Sequence, residues 1–334
     1  MAFWNKYPYT DFHELNLSWF LSEFIKFKEE VKNFYIDFGK TITEEVNKWL
    51  NEHPEATTTI EDGAVTSVKL NDDTIIPDAD ITETFDNVGY YDVITTTKTR
   101  IHNTDCYVVN IPVNDTNGTI INPYMAYSEG LTPAEYARVN GTDVTINGTI
   151  SLLTTDDRWV TPYVLNRGVR IDGEEFDTSS YSNSASYLSI NADRTYSEFP
   201  ISSSLDNIIN AGGYNVFTAY YKLINNGNKL DLTNVTGNEE GRVSNPNPNI
   251  AIGFLPDNSI IIFGCDGRTQ INAGLTSNEV RDYLFDIGCR NAWMLDGGGS
   301  ESINIQGSKL NRNIDGWGTV DRMVHVTLNF KKGV

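Results

Sequence analysis

Two short stretches combine side chains and spacings that can do chemistry. The first is Cys265-Asp266-Gly267-Arg268, directly after the apolar run Ile260-Ile261-Ile262-Phe263. A carboxylate and a guanidinium held by a glycine turn at a strand end suit recognition of a polar ligand at a sheet edge. The second is Asp296-Gly297-Gly298-Gly299-Ser300, directly after Ala292-Trp293-Met294-Leu295. Three successive glycines are conformationally expensive to order. They make sense where backbone must approach a ligand closely, because successive amide N–H groups can cradle an anion. The bland alternative is a tight turn, and Asp-Gly is a common turn pair. The order strand, Asp-Gly-Arg, helix, strand, Asp-Gly-Gly-Gly-Ser is more specific than either stretch alone.

The elements that must position these loops carry their own signals. Thr276 with Glu279 three residues on forms a capping box, Val280, Leu284 and Ile287 make an apolar face, and Gly288 closes the helix. Thr132-Pro133 opens a second short helix running to Ala137, and Leu205–Ala211 suggests a third. β-rich runs at Cys106–Ile111, Val144–Ile150, Ile250–Leu255, Ile260–Cys265, Trp293–Leu295, Ser302–Ile305 and Met323–Phe330 outnumber them. The fold class is therefore α+β: an N-terminal coiled-coil helix and short neck, followed by a β-rich mixed domain over residues 81–334. Ser179–Ser204 is polar and serine-rich and reads as a surface excursion.

Composition narrows the function classes. The 334-residue chain has 39% hydrophobic residues, enough for a sizeable core. Its net charge of −20 makes binding of DNA or anionic lipid through a general positive field a poor prospect. The acid concentrates in residues 51–200, whereas residues 201–334 are nearly balanced, so an anionic ligand belongs near the basic groups of that last part. No apolar run is long enough to span a membrane. Cys106, Cys265 and Cys289 lie on or beside apolar runs and read as core. The four histidines have no metal-ligand spacing, and His325 reads as a packed or exposed residue of the last strand. No Gly-x-Ser-x-Gly nucleophile turn occurs.

The first 80 residues follow a different pattern. Leu17, Phe20, Phe24, Phe27, Val31, Phe34 and Phe38 recur in alternating steps of three and four, a heptad seam. The steps then shift to Ile42, Val46 and Trp49, as in a coiled-coil stutter. One amphipathic helix packed on its own domain, or parallel helices that self-associate, would give this pattern. Pro54 stops it, and residues 51–80 read as a linker or oligomeric neck.

The segments 249–268, 275–312 and 321–324, with their Asp-Gly-Arg and Leu-Asp-Gly-Gly-Gly-Ser motifs, resemble the phosphodiester glycosidases. TPAEYA at 132–137 and VTING at 144–148 extend the match upstream. The resemblance implies a domain that hydrolyses a sugar-1-phosphodiester. It places Asp266, Arg268, Asp296, Gly297, Gly298, Gly299, Ser300, the late Arg322 and the upstream Asn147 at family motif positions. Glu301 stands where a second Ser or Thr is usual, Asn249 where Arg is frequent, and Met323 where Pro is common. The implied chemistry needs a carboxyl group near the anomeric centre and donors for the phosphate. Asp296 and Asp266 are the candidates for acid, base or nucleophile, with Glu301 in reserve. Arg268 and Arg322 are candidates for a bidentate phosphate fork, and the glycine-loop amides for further donors. No cofactor is implied with certainty; a divalent cation on Asp266, Asp296 or nearby carbonyls is open. Attack at carbon and attack at phosphorus both remain open.

Residues 4–19, WNKYPYTDFHELNLSW, resemble the opening of tail-appendage and receptor-binding proteins of phages that infect Gram-positive bacteria, and residues 60–75 are similar to repeats of phage fibres. This implies a virion-tail protein acting outside the host cell. Residues 1–50 would contact tail or baseplate proteins and form a homotrimer, and the partner would be a host surface glycopolymer such as teichoic acid or capsule. Two other expectations compete: a receptor-binding protein without turnover, and a cellular glycosidase with a dimerising helix.

Overall fold

In a computed structural model the described residues are 83–85, 93–128, 130–150, 152–153, 159–171, 185–235, 240–269, 271–312 and 322–332. The heptad seam at 17–49 and the neck at 51–80 lie outside them. Among the described residues no helix is long and apolar enough to cross a membrane.

Three antiparallel sheets carry the domain. The central one has the order β1 (Glu83–Phe85), β2 (Thr95–Ile101), β3 (Thr104–Ile111), β16 (Ile260–Cys265), β15 (Asn249–Phe254), β17 (Asn291–Met294), β13 (Lys222–Asn225), β14 (Asn228–Lys229). A second has the order β11 (Tyr196–Pro200), β10 (Ser186–Ile190), β12 (Asn215–Ala219), β8 (Leu165–Asn166), β9 (Val169–Arg170). The third is β19 (Ser308–Lys309), β18 (Ile303–Ile305), β5 (Val144–Asn147), β20 (Val326–Lys332), β4 (Ile121–Tyr127). A two-stranded ribbon pairs β6 (Leu152–Leu153) with β7 (Trp159–Val160). The described helices are α1 (Pro133–Asn140), α2 (Leu205–Asn210), α3 (Glu240–Ser244) and α4 (Ser277–Asp286).

The unbroken apolar runs of β15 and β16 follow from burial on both faces. Ile250, Ile252, Phe254, Ile260 and Ile262 point into one core, which they share with residues of β4, β5, β10, β12, β18 and β20. Ala251, Ile261, Phe263 and Cys265 point the other way, into a second core completed by Val280 and Leu284 of α4. A fully buried Ile, Leu or Phe side chain stabilises by roughly 1.5–3 kcal/mol, so a polar residue on either face of these strands would be costly. The capping box predicted at Thr276 forms. Thr276 Oγ1 accepts from Glu279 N–H at 3.2 Å, while Glu279 Oε2 accepts from Thr276 N–H at 2.7 Å. Thr132 and Glu135 do the same at α1. Gly288, at φ +94°, follows α4 and turns the chain back. The three cysteines are buried thiols.

The reading of Ser179–Ser204 as a surface excursion is corrected for residues 185–190, whereas residues 191–204 apart from Arg194 are exposed or half-buried. Residues 185–200 form β10 and β11, and every residue of β10 is buried. Tyr187, Leu188 and Ile190 supply the apolar surface, and the serines fit where little room remains. The β10–β11 turn sends Arg194 fully inward, where it donates to Ile121 O at 2.5 Å and Ile111 O at 2.9 Å. Burial lowers its pKa to about 10.

Candidate functional site

Both Asp-Gly loops emerge on either side of Pro248-Asn249, where β15 begins. Asn249 pairs with Cys265 at the end of β16, and Leu295 N–H donates to Ile250 O beyond β17. The glycines permit this crowding. A methyl group on Gly267 would lie 2.5 Å from Pro248 N, and one on Gly297 would lie 2.6 Å from Pro248 O. Gly298 takes φ +66°, and its N–H donates to Pro248 O at 2.9 Å. That amide is spent on the fold, and the short 3₁₀ turn Gly298–Ser300 then delivers Ser300.

The third sheet brings the opposing wall from distant sequence. Asn147, at the end of β5, donates from Nδ2 to Asp296 O at 2.6 Å and accepts Ser302 N–H on Oδ1 at 3.0 Å. It clamps the start of the glycine loop to its exit. Arg322, ahead of β20, donates to Ser300 Oγ at 2.9 Å. Between these walls lies a small, partly open cavity lined by Asn147, Thr149, Asp296, Ser300, Arg322, Met323, Val324 and His325. β20 starts at Val326, so His325 precedes the strand and walls the cavity; this corrects its reading as an ordinary strand residue.

Asp296 is the carboxylate of this cavity. Burial raises its pKa above the usual range, opposed by the Arg242 charge, hydrogen bonds from Tyr220 and Ser300, and the Arg322 charge. Tyr220 Oη–H donates to Asp296 Oδ1 at 2.9 Å, and the Arg242 guanidinium sits 5.3 Å above the Tyr220 ring. Three arginines therefore surround the glycine loop. Arg242 Nη1 lies 3.2 Å from where a Gly297 methyl would be, Arg268 Nη2 lies 2.9 Å from the Gly298 equivalent, and Arg322 holds Ser300. Arg268 takes a left-handed backbone at φ +61° and is exposed.

The other two acids lie elsewhere. Asp266 is 2% exposed and is not on the cavity lining. It accepts Arg312 N–H at 2.6 Å on Oδ1, and the Asn272 amide at 3.3 Å and the Tyr107 hydroxyl at 3.4 Å on Oδ2. Burial pushes its pKa up to about 6, against the pull of the Arg312 N–H. Glu301 is fully buried, with its carboxyl against Gly264 of β16. Among the described residues neither of its oxygens has a hydrogen-bond partner of ordinary geometry. Burial and the nearby Asp266 raise its pKa well above the ordinary value, which favours its neutral form. Among the described residues no group of three or more His, Cys, Asp or Glu could hold a metal ion.

Sequence reasoning missed Tyr220 and Arg242. The Tyr220-Tyr221 doublet held one signal. Adjacent extended residues face opposite ways, and Tyr221 Oη pairs with Ser277 Oγ at 2.6 Å while Tyr220 reaches Asp296. Arg242 belongs to the nearly neutral last part, where the anion site was expected.

A β-rich domain here gathers an acid and three arginines about one glycine loop, an arrangement suited to an anionic ligand. Residues 136–330, more than half of the chain, match the phosphodiester glycosidase family, and the chain belongs to it. The catalytic domain of zebrafish N-acetylglucosamine-1-phosphodiester alpha-N-acetylglucosaminidase, solved auto-inhibited by its pro-peptide, is similar in fold. Its TM-score is 0.53 at 17% identity, over 75% of this chain and 88% of that one. A hypothetical protein from Synechocystis gives a TM-score of 0.49 at 14% identity, over 71% of this chain and 62% of that one. The SPbeta prophage-derived uncharacterized protein YomE of Bacillus subtilis (strain 168) is 36% identical over 81 residues, 24% of this chain. The matched stretch is 12% of that prophage protein's length.

Proposed function

We propose that this chain is a phage tail-appendage hydrolase that cleaves sugar-1-phosphodiester bonds in a surface glycopolymer of a Gram-positive host, such as teichoic acid or capsule. In this reading residues 81–334 are the catalytic domain, residues 1–50 anchor it to tail or baseplate proteins and trimerise it, and residues 51–80 are the neck. The observation that carries the enzymatic part is Asp296, a carboxyl with a raised pKa on the wall of a cavity that it shares with Arg322 and Ser300. The prophage relative and the tail-like opening at residues 4–19 support the phage setting.

The residues suggest a division of labour. Arg322, on the cavity wall, offers charge-assisted donors to the phosphate, each such bond being worth about 1.5–3 kcal/mol, and the Arg242 charge favours the ionised form of Asp296. Asp296, biased toward a pKa nearer neutrality, takes a proton from the attacking water. Ordinary glycosidases pair two carboxyl groups, one of them to protonate the leaving oxygen. A phosphate leaves as an anion already stabilised by arginine, which suits a described lining in which Asp296 is the one carboxylate. Trimeric display would raise avidity for a repeating polymer.

The test is incubation with glycopolymers from a panel of Gram-positive hosts, followed by phosphorus NMR and reducing-end release, with and without a chelator. New phosphomonoester and reducing sugar, both lost in Asp296→Asn, is the expected result. The second reading, a receptor-binding protein without turnover, is favoured by the withdrawal of Asp266 and Glu301 from the cavity wall. Binding across the panel without either product would replace the first reading with it.

A further inference from the structure

The cavity beside Asp296 and Arg322 is small and partly open to solvent, so a polymer held there at one phosphodiester must continue over one of the walls. The end of the third sheet marks a direction. Three strand ends lie there side by side: β5 stops at Asn147, β20 starts after His325, and β4 stops at Tyr127. Val326 pairs with Tyr127, and Thr327 pairs with Asn147 on its other side. Ser128 fixes the β4 end to the cavity segment, donating from N–H to His325 O at 2.8 Å and from Oγ to Val324 O at 2.6 Å.

His325 is thus shared between the cavity and what lies beyond it. Its ring meets the Tyr127 ring at 5.9 Å between centroids, tilted by 55°. Tyr127 is 39% exposed and Met323, on the same wall, 61%. Tyr and His each present an apolar body and a polar tip. A pyranose has the matching form: its C–H face packs on a ring while its hydroxyls stay in water or meet the tip. On a chain of net charge −20, long-range attraction cannot gather an anionic polymer. A contact with the uncharged face of a sugar does not depend on that field.

The geometry points to Tyr127 and His325 as a second sugar site, which takes the polymer residue adjoining the one in the cavity. It rests on the glycosidase reading of the cavity and adds the path of the polymer, from β5 across the start of β20 to β4. Tyr127 acts on affinity for chains longer than one repeat and leaves the bond-breaking groups alone.

The experiment uses the full chain and three probes: the methyl diester of N-acetylglucosamine-1-phosphate, and N-acetylglucosamine-1-phosphate oligomers of two and of four repeats. Binding is read by calorimetry in an Asp296→Asn background so that the probes persist, and turnover is read separately in the parent protein. The two-repeat oligomer is expected to bind roughly five- to tenfold more tightly than the single-sugar diester. Tyr127→Ala should remove most of that gain with single-sugar affinity held within about twofold, and Tyr127→Phe should keep the gain. An equal loss on both probes would make Tyr127 a structural residue only and overturn the second site, as would no loss on either. A length gain that depends on Tyr127, without turnover by the parent protein, supports the second site and overturns the hydrolase reading. Turnover without a length gain does the reverse, and no binding of any probe overturns both.

Discussion

Asp266-Gly267 and Asp296-Gly297 leave adjacent strand ends on either side of β15, and their local sequences begin alike. Their surroundings separate them. Asp266 is enclosed by the Arg312 N–H, the Tyr107 hydroxyl and the Asn272 amide, and it holds those distant segments together. Asp296 has one carboxylate oxygen on the Tyr220 hydroxyl and shares a cavity wall with Ser300 and Arg322. Burial raises the pKa of both. A raised carboxyl is therefore not by itself a sign of catalysis; what differs is whether the group borders a space that a substrate can enter.

The largest effect that can break this contrast comes from Asp296→Asn. The substitution keeps the volume and one acceptor but removes the proton-accepting charge. Loss of kcat by roughly 10²–10⁴-fold is expected, with an unchanged circular dichroism spectrum and melting curve. A variant that retains most of its activity would put the chemistry on another group. Next comes Arg322→Ala, which removes the guanidinium that holds Ser300 and faces the cavity. Loss of a charge-assisted phosphate contact lowers kcat/KM by about 10–100-fold. Steady-state kinetics on a single-sugar diester would check this, and an unchanged kcat/KM would contradict a phosphate-binding role.

Tyr220→Phe sharpens the comparison at smaller amplitude. The hydroxyl that donates to Asp296 Oδ1 stabilises the charged form and so lowers its pKa. Without it the pKa of Asp296 rises further, and the acidic limb of the kcat/KM profile moves to higher pH. Hydrogen-bond loss of about 1 kcal/mol corresponds to a shift of under one pH unit. A shift in the opposite direction would mean that the profile reports a different group.

Much of this region is legible in the sequence because its signals are local. Thr276, Glu279 and Gly288 announce α4 through caps, and the glycine runs announce loops. The apolar stretch Ile260–Phe263 announces a central strand. Which aspartate meets the cavity is not local. It depends on Asn147 and Arg322 arriving at one end of the third sheet from the neighbouring strands β5 and β20, on Tyr220 arriving between β12 and β13, and on Arg242 arriving from α3. His325 was misjudged because one residue of offset at the start of β20 separates strand from cavity wall. The serines of β10 misled for another reason. Serine content reads as solvent exposure, yet a small side chain also fills a crowded interior, and Ser189 is fully buried. Glu301 sits beside a loop that carries function, and only the packing reveals that its carboxyl turns back toward Gly264.

Asp266→Asn should have the smallest effect on activity and the clearest effect on stability. The folded-state pKa of Asp266 is about 6, raised from 3.8. Folding therefore favours its protonated form, and the contribution is fully present below pH 4 and lost as pH rises toward 6. A shift of about two units corresponds to roughly 3 kcal/mol, a large part of a domain's margin. Asparagine cannot titrate, so the variant should lack this slope. Measured by urea denaturation, the parent protein should lose stability relative to the variant between pH 4 and pH 6. The amide also replaces one acceptor by a donor, so part of the Tyr107 or Asn272 contact goes, at a cost of about 1 kcal/mol that does not vary with pH. Activity at neutral pH should stay within about threefold of the parent, since Asp266 lies off the cavity wall. An activity loss that approaches that of Asp296→Asn, in a variant that still folds, would erase the distinction between the two loops and return Asp266 to the reaction.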